Sequence, residues 1–122
     1  MNSFYTEQEL RELGLKKVGN EVLISRKASL YDVDVIEIGN NVRIDDFCIL
    51  SGNVRIGSYI HISAYTAMFG GACGGIVMED YTTISSRCAV YSCSDDYSGD
   101  YMTNAVIPEE YKNVYEKPGV IK

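Results

Sequence analysis

The stretch that decides the fold is IGNNVRIDDFCILSGNVRIGSYIHISAYTAMFGG, Ile38 to Gly71. Bulky aliphatic residues recur in it at every sixth position: Ile38, Ile44, Leu50, Ile56, Ile62 and Met68. The series resumes at Met78, Ile84 and Val90 and extends backwards through Leu30 and Ile24. Four residues after each member stands a second inward candidate, small or β-branched: Ala28, Val42, Cys48, Val54, Ile60, Thr66, Thr82 and Cys88. A helix would gather residues three and four apart on one face, and a flat strand would alternate by two. A period of six fits neither.

The period does fit a parallel β-helix, in which a short strand is followed by a sharp corner and three such sides make one triangular coil. Equivalent sides then stack. Ile38, Ile56 and Met78 form one column, Ile44, Ile62 and Ile84 a second, and Leu50, Met68 and Val90 a third. Cys48, Thr66 and Cys88 share a column of small inward residues. No coil buries its apolar residues alone, so stability is shared between neighbours.

Residues 1–17 form an N-terminal cap. TEQELREL, residues 6–13, reads as a short helix with Thr6 and Glu9 as a capping box, Tyr5 and Leu10 as a staple, and Gly14 as a stop. The helix is placed over the end of the coil, where unpaired strand edges would invite aggregation. Residues 18–122 are the β-helix, irregular over 15–37 and regular over 38–95. Between Met68 and Met78 the spacing is ten, and the extra residues include GGACGG, Gly70–Gly75, read as a bulged corner. This run lacks the Lys-Ser/Thr of a phosphate-binding P-loop. The repeat stops after Val90, and a polar, tyrosine-bearing excursion occupies about 92–118. Long excursions from a regular scaffold are commonly functional.

The net charge of −6 and a pI near 4.7 disfavour nucleic acid and anionic membrane as main partners. No apolar run approaches a membrane span, and MNSFYTEQELREL has no secretory signal character, so a cytoplasmic protein is expected. Cys48, Cys73, Cys88 and Cys93 form no CxxC pair, and one histidine leaves no standard zinc ligand set, so no metal is expected and the thiols read as reduced. The ten tyrosines serve either sugar stacking or surface packing.

The hexapeptides IGNNVR and IGSYIH, with VRIDDFCILSG and the loop YSCSDDYSGDYMTN, resemble the hexapeptide-repeat acyltransferases over residues 18–122. They are most similar to the galactoside/maltose O-acetyltransferases and related polysaccharide O-acetyltransferases. The resemblance implies an all-β fold, a left-handed parallel β-helix with a short N-terminal helix and one long loop excursion. It also implies a homotrimer. The implied activity is acetyl transfer from acetyl-CoA to a hydroxyl of a sugar or nucleotide sugar in surface polysaccharide synthesis. The chain ends at GVIK, where the family would begin another hexapeptide, and relatives hold much of the coenzyme in later coils. The chain therefore reads as C-terminally truncated. A non-catalytic trimeric β-helix module is the alternative reading.

Hydroxyl acylation needs a base, and the chain offers one histidine, His61, outward in the column of Arg43 and Thr83. His61 is either that base or a surface residue packed between coils. Where the family carries its loop histidine, this chain has Cys93, Ser94 or Asp95. The family's substrate-binding positions fall at Ser63, Tyr65 and Arg87, so acceptor specificity does not carry over. Asp95 and Asp96 either bind sugar hydroxyls, orient a histidine or cap the turn. Tyr97 and Tyr101 are either stacking residues for a sugar ring or loop packing.

Overall fold

The structure is a computed structural model that describes residues 3–94, 117–118 and 120–121. It is a left-handed parallel β-helix of about four turns, opposite in sense to the usual parallel crossover. One side is built from β2 (Val22–Ile24), β5 (Val42–Ile44), β7 (Ile60–Ile62) and β9 (Thr83–Ile84), stacked in that order and parallel. The other two sides are joined in one sheet by long bent strands, β6 (Ile49–Ile56) and β8 (Ala67–Met78). β1 (Lys17–Val18) and β4 (Glu37–Ile38) precede them on one side. On the other, β3 (Ser29–Tyr31) lies below and β10 (Ala89–Tyr91) above. β11 (Cys93–Ser94) pairs antiparallel with β12 (Lys117–Pro118), and β13 (Val120–Ile121) pairs with β8.

The strand register matches the sixfold columns. Ile38 pairs with Ile56 and Ile56 with Met78. Ile24, Ile44, Ile62 and Ile84 align, as do Leu30, Leu50, Met68 and Val90. Within each strand the pleat sends alternate residues in and out: Val42 and Ile44 are buried, Arg43 is exposed. Ile24, Ile38, Ile44, Leu50 and Ile62 have no exposed surface. The small inward column holds at Ala28, Cys48 and Thr66, all buried; Cys88, in the uppermost described coil, is partly exposed. Thr82 departs from the expectation. It is exposed, and its hydroxyl donates to the Glu79 carbonyl. Ile36 and Ile76 belong to the core although they lie off the sixfold beat.

Corners are satisfied by a ladder of side chains. The backbone N–H of Asn20 donates to Asn40 Oδ1 (2.8 Å), that of Asn40 to Ser58 Oγ (3.0 Å), and that of Ser58 to Asp80 Oδ1 (2.8 Å). No buried side-chain nitrogen or oxygen among the described residues lacks a partner. Gly39 lies where two coils touch: a Cβ there would sit 2.6 Å from the Gly57 carbonyl oxygen. Coils differ in length without losing register. The two extra residues between Ile24 and Ile44 are taken up by a 3-10 turn at Val33–Val35, so the irregularity expected over 15–37 is confined to that corner. The insert between Met68 and Met78 is a bulged corner, as its glycines imply. Gly52 pairs with Gly71 and Val54 with Ile76, and Asn53 Nδ2 donates to the Gly74 carbonyl (2.6 Å) across the bulge.

α1 (Glu7–Glu12) carries the expected capping box: Thr6 Oγ1 accepts from the Glu9 N–H, and Glu9 Oε1 accepts from the Thr6 N–H. Leu10 is buried in the end of the core and Tyr5 packs against it. Residues before the helix pair with the first coil through the Tyr5 N–H to the Ile24 carbonyl (2.9 Å) and the Arg26 N–H to the Ser3 carbonyl (2.8 Å). Glu9 also takes a two-pronged ion pair from Arg26. No helix among the described residues is long and apolar enough to cross a membrane.

Two outcomes follow. Ile62→Ala removes a fully buried side chain from the centre of a column and should cost about 2–5 kcal/mol in urea unfolding, against roughly 0.5–1.5 for Ile62→Val. Equal costs would mean the column is not close-packed. The Arg26 hydrogen bond, then the Thr6 N–H, hold Glu9 down to about 2 from an ordinary 4.5. A depressed carboxyl stabilises fully above its unfolded value and loses that contribution as pH falls through its folded value. Helix docking should therefore weaken between about pH 4.5 and 2, read by amide exchange at Leu10. Glu9→Gln should flatten that dependence.

Candidate functional site

The side formed by β2, β5, β7 and β9 turns Leu23, Arg43, His61 and Thr83 outward in one row. Parallel in-register strands make this row inevitable once their apolar neighbours face in. His61 is exposed, and its Nε2 lies 2.8 Å from Asp45 Oδ2. Asp45 opens the next corner in the coil below and also accepts from Arg43 Nε at 2.8 Å. Burial pushes the Asp45 carboxyl up, but the hydrogen bonds from His61 and Arg43 and the Arg43 charge outweigh it and hold it below the ordinary carboxylate range. An ionised Asp45 only accepts, so the proton of the neutral imidazole sits on Nε2. Nδ1 is left with its lone pair. An imidazole held in this way can accept a proton at Nδ1 when neutral.

The corners on both edges of this face carry aromatic rails. On one edge Tyr59 stacks on Tyr81, with centroids 5.0 Å apart and planes 6° apart. On the other, Phe47 stacks on Tyr65 at 5.3 Å, the Lys27 ammonium lies 5.8 Å from the Phe47 centroid, and the Arg87 guanidinium lies 5.7 Å from that of Tyr65. Each rail residue is the third of its corner, and Phe47, Tyr59, Tyr65, Tyr81 and Arg87 all have φ between 59° and 66°. Bulky residues seldom adopt this left-handed conformation. Their side chains stay outside: Tyr81 is 77% exposed and Tyr65 55%.

The structure thus brings four sequence candidates to one corner and the face beside it. Ser63 and Tyr65 follow His61 by two and four residues, and Arg87 lies one coil above Tyr65. Asp95, Asp96, Tyr97 and Tyr101 lie outside the described residues, as does the Cys93 side chain. Asp45 was missed by sequence reasoning. The signal was present in the column arithmetic, because Arg43 aligns with His61 and Asp45 stands two residues beyond it. Cys48 is a packing residue: its thiol donates to the Ser63 carbonyl oxygen at 3.1 Å, and burial raises its pKa. Among the described residues no three His, Cys, Asp or Glu side chains come together as a metal site. A groove of about 600 Å³ at the bulged corner, between Asp32, Asp34, Glu37 and Arg55, contains no residue of the His61 face.

No protein-family model matches the chain. It is 48% identical over 116 residues to the dTDP-4-amino-4,6-dideoxy-D-glucose acyltransferase of Escherichia coli, a match covering 93% of this chain and 59% of that protein. It is also similar to AntD, an N-acyltransferase from Bacillus cereus. The AntD structure with dTDP and 3-hydroxybutyryl-CoA superposes with a TM-score of 0.90 at 57% identity, over 98% of this chain and 62% of AntD. A serine variant of AntD holding dTDP-4-amino-4,6-dideoxyglucose and coenzyme A matches equally, with a TM-score of 0.90, 57% identity and 63% of AntD covered. The chain spans about three fifths of the length of these relatives. Along nearly all of its own length it is similar to acyltransferases of dTDP-linked amino sugars, and it shares the β-helix of AntD.

Proposed function

We propose that this protein transfers an acyl group from an acyl-coenzyme A to the amine of a dTDP-linked 4-amino-4,6-dideoxy sugar. The observation that carries the reading is the 57% identity to AntD, a serine variant of which was solved with that amino sugar and coenzyme A together. The sequence expectation of a nucleotide-sugar acceptor and a coenzyme A donor is kept. The expected sugar hydroxyl gives way to an amine, and the acyl group need not be acetyl, because AntD was also solved with 3-hydroxybutyryl-CoA.

The chemistry asks little of the protein beyond positioning. The neutral amine attacks the thioester carbonyl, a C–N bond forms and the C–S bond breaks. The amine loses one proton and the departing thiolate gains one. His61 Nδ1, oriented through Asp45, is suited to take that proton. AntD was solved as variants at a serine and at an aspartate ten positions further on. This chain has serine and aspartate at that separation in Ser86 and Asp96, and in the adjacent Ser85 and Asp95. Ser85 and Ser86 precede Arg87 at the corner above Ser63 and Ala64. We assign this Ser-Asp pair, Ser86 with Asp96 or Ser85 with Asp95, to the acceptor site, with Ser63 and Tyr65 beside it. A homotrimer would set this face against a neighbouring copy.

The reading predicts acyl transfer from acetyl-CoA or 3-hydroxybutyryl-CoA to the 4-amino sugar nucleotide and none to its 4-hydroxy counterpart, followed by mass spectrometry of the product. Asp96→Asn and His61→Ala should each lower kcat by about 10²-fold. Unchanged turnover in His61→Ala would remove the histidine from the reaction. Transfer to the 4-hydroxy compound at an equal rate would return the acceptor to a hydroxyl.

A further inference from the structure

The sequence contains five arginines. Four are each tied to a carboxylate: Arg11 to Glu7, Arg26 to Glu9, Arg43 to Asp45 and Arg55 to Glu37. Arg87 makes no ion pair among the described residues. In a chain with net charge −6, carboxylates are in excess, yet this guanidinium stands over the Tyr65 ring instead. The guanidinium carbon lies 5.7 Å from the Tyr65 ring centroid and Arg87 is exposed, so the cation is held near the ring with N–H groups available to a ligand. A guanidinium presents paired N–H donors that fit two phosphate oxygens. Tyr65 is itself braced by Phe47, and Lys27, which makes no ion pair among the described residues, adds a second cation further down the same edge. The left-handed φ of +61° at Arg87 and +64° at Tyr65 places both side chains at the corner rather than along the strand. Arg87 directly follows Ser85 and Ser86, the serines placed above at the acceptor site.

We propose that Arg87 binds the diphosphate of the nucleotide-linked acceptor, and that Tyr65 is the positioning residue that holds its guanidinium. The proposal rests on the nucleotide-sugar reading above. Coenzyme A also carries a diphosphate, so the same fork has two possible sources of ligand. Arg87 adjoins the serines placed at the acceptor site, so the diphosphate it takes is the acceptor's.

Calorimetric titration of the full chain with dTDP, thymidine and coenzyme A tests this. Arg87→Ala should weaken dTDP binding about 10- to 100-fold, as loss of a charged hydrogen-bonded contact does. It should leave thymidine and coenzyme A unchanged and flatten the salt dependence of dTDP binding. Tyr65→Leu should weaken dTDP several-fold, and Tyr65→Phe, which keeps the ring, should restore it. A merely structural role for Tyr65 would weaken all three ligands together. Equal dTDP affinity in wild type and Arg87→Ala would overturn the proposal, as would an equal loss for thymidine or a loss confined to coenzyme A. No dTDP binding to the wild-type chain at millimolar concentration would overturn the nucleotide-sugar reading itself. Binding of dTDP that ignores Arg87 would leave that reading standing and remove only the assignment.

Discussion

Everything in this molecule depends on one coil's aliphatic residues seating on those of the next. Ile24, Ile44, Ile62 and Ile84 follow one another up the middle of a side, and the backbone hydrogen bonds run in the same register. A slip of one residue would turn Arg43 and His61 into the core and Ile44 and Ile62 into water. The register is therefore strongly specified, at a cost of several buried aliphatic side chains for any alternative. Length variation is pushed to the corners for the same reason. The four-residue insert is expelled at Gly70–Gly75, and Met68 and Met78 still meet Leu50 and Ile56.

The outward face inherits this order. Residues on neighbouring coils that have no sequence proximity are set about one strand spacing apart, ~4.8 Å. Asp45 reaches His61 in this way, and Phe47, Tyr65 and Arg87 follow one another along one edge. The regular core thus acts as a ruler for an irregular surface. A histidine oriented by a carboxylate lies on a flat side, flanked by two aromatic rails. Positioning of this kind suits a reaction in which the nucleophile is already a good one and binding supplies most of the rate.

The inside of the molecule was legible in the sequence because burial imposes a period. Ile38 through Val90 could be sorted into columns by arithmetic alone, and the capping box at Thr6 and Glu9 follows from local hydrogen bonding. Ile36 escaped because it lies in the coil lengthened by the 3-10 turn, off the beat. Thr82 was misplaced because the beat says nothing of a hydroxyl that can turn to a nearby carbonyl. The outside was much less legible. Nothing in the residue types Phe, Tyr and Arg signals a left-handed corner, since those residues disfavour it. The His61–Asp45 pair depends on a side chain leaning across coils, which no period records. Hydroxyl and amine acceptors differ by a single group on the ligand. The hexapeptide signature, a statement about the core, does not distinguish them.

The central claim is that one side of the prism, with its two edges, is the working surface. Amide chemical-shift mapping of the isotope-labelled chain during titration with dTDP tests this most directly. The account predicts that the largest shifts cluster on His61, Ser63, Tyr65, Ser86 and Arg87, with the row at Arg43 and Thr83 following. Shifts centred instead on the opposite corner, at Asp32, Asn53 and Arg55 around the glycine bulge, would contradict it.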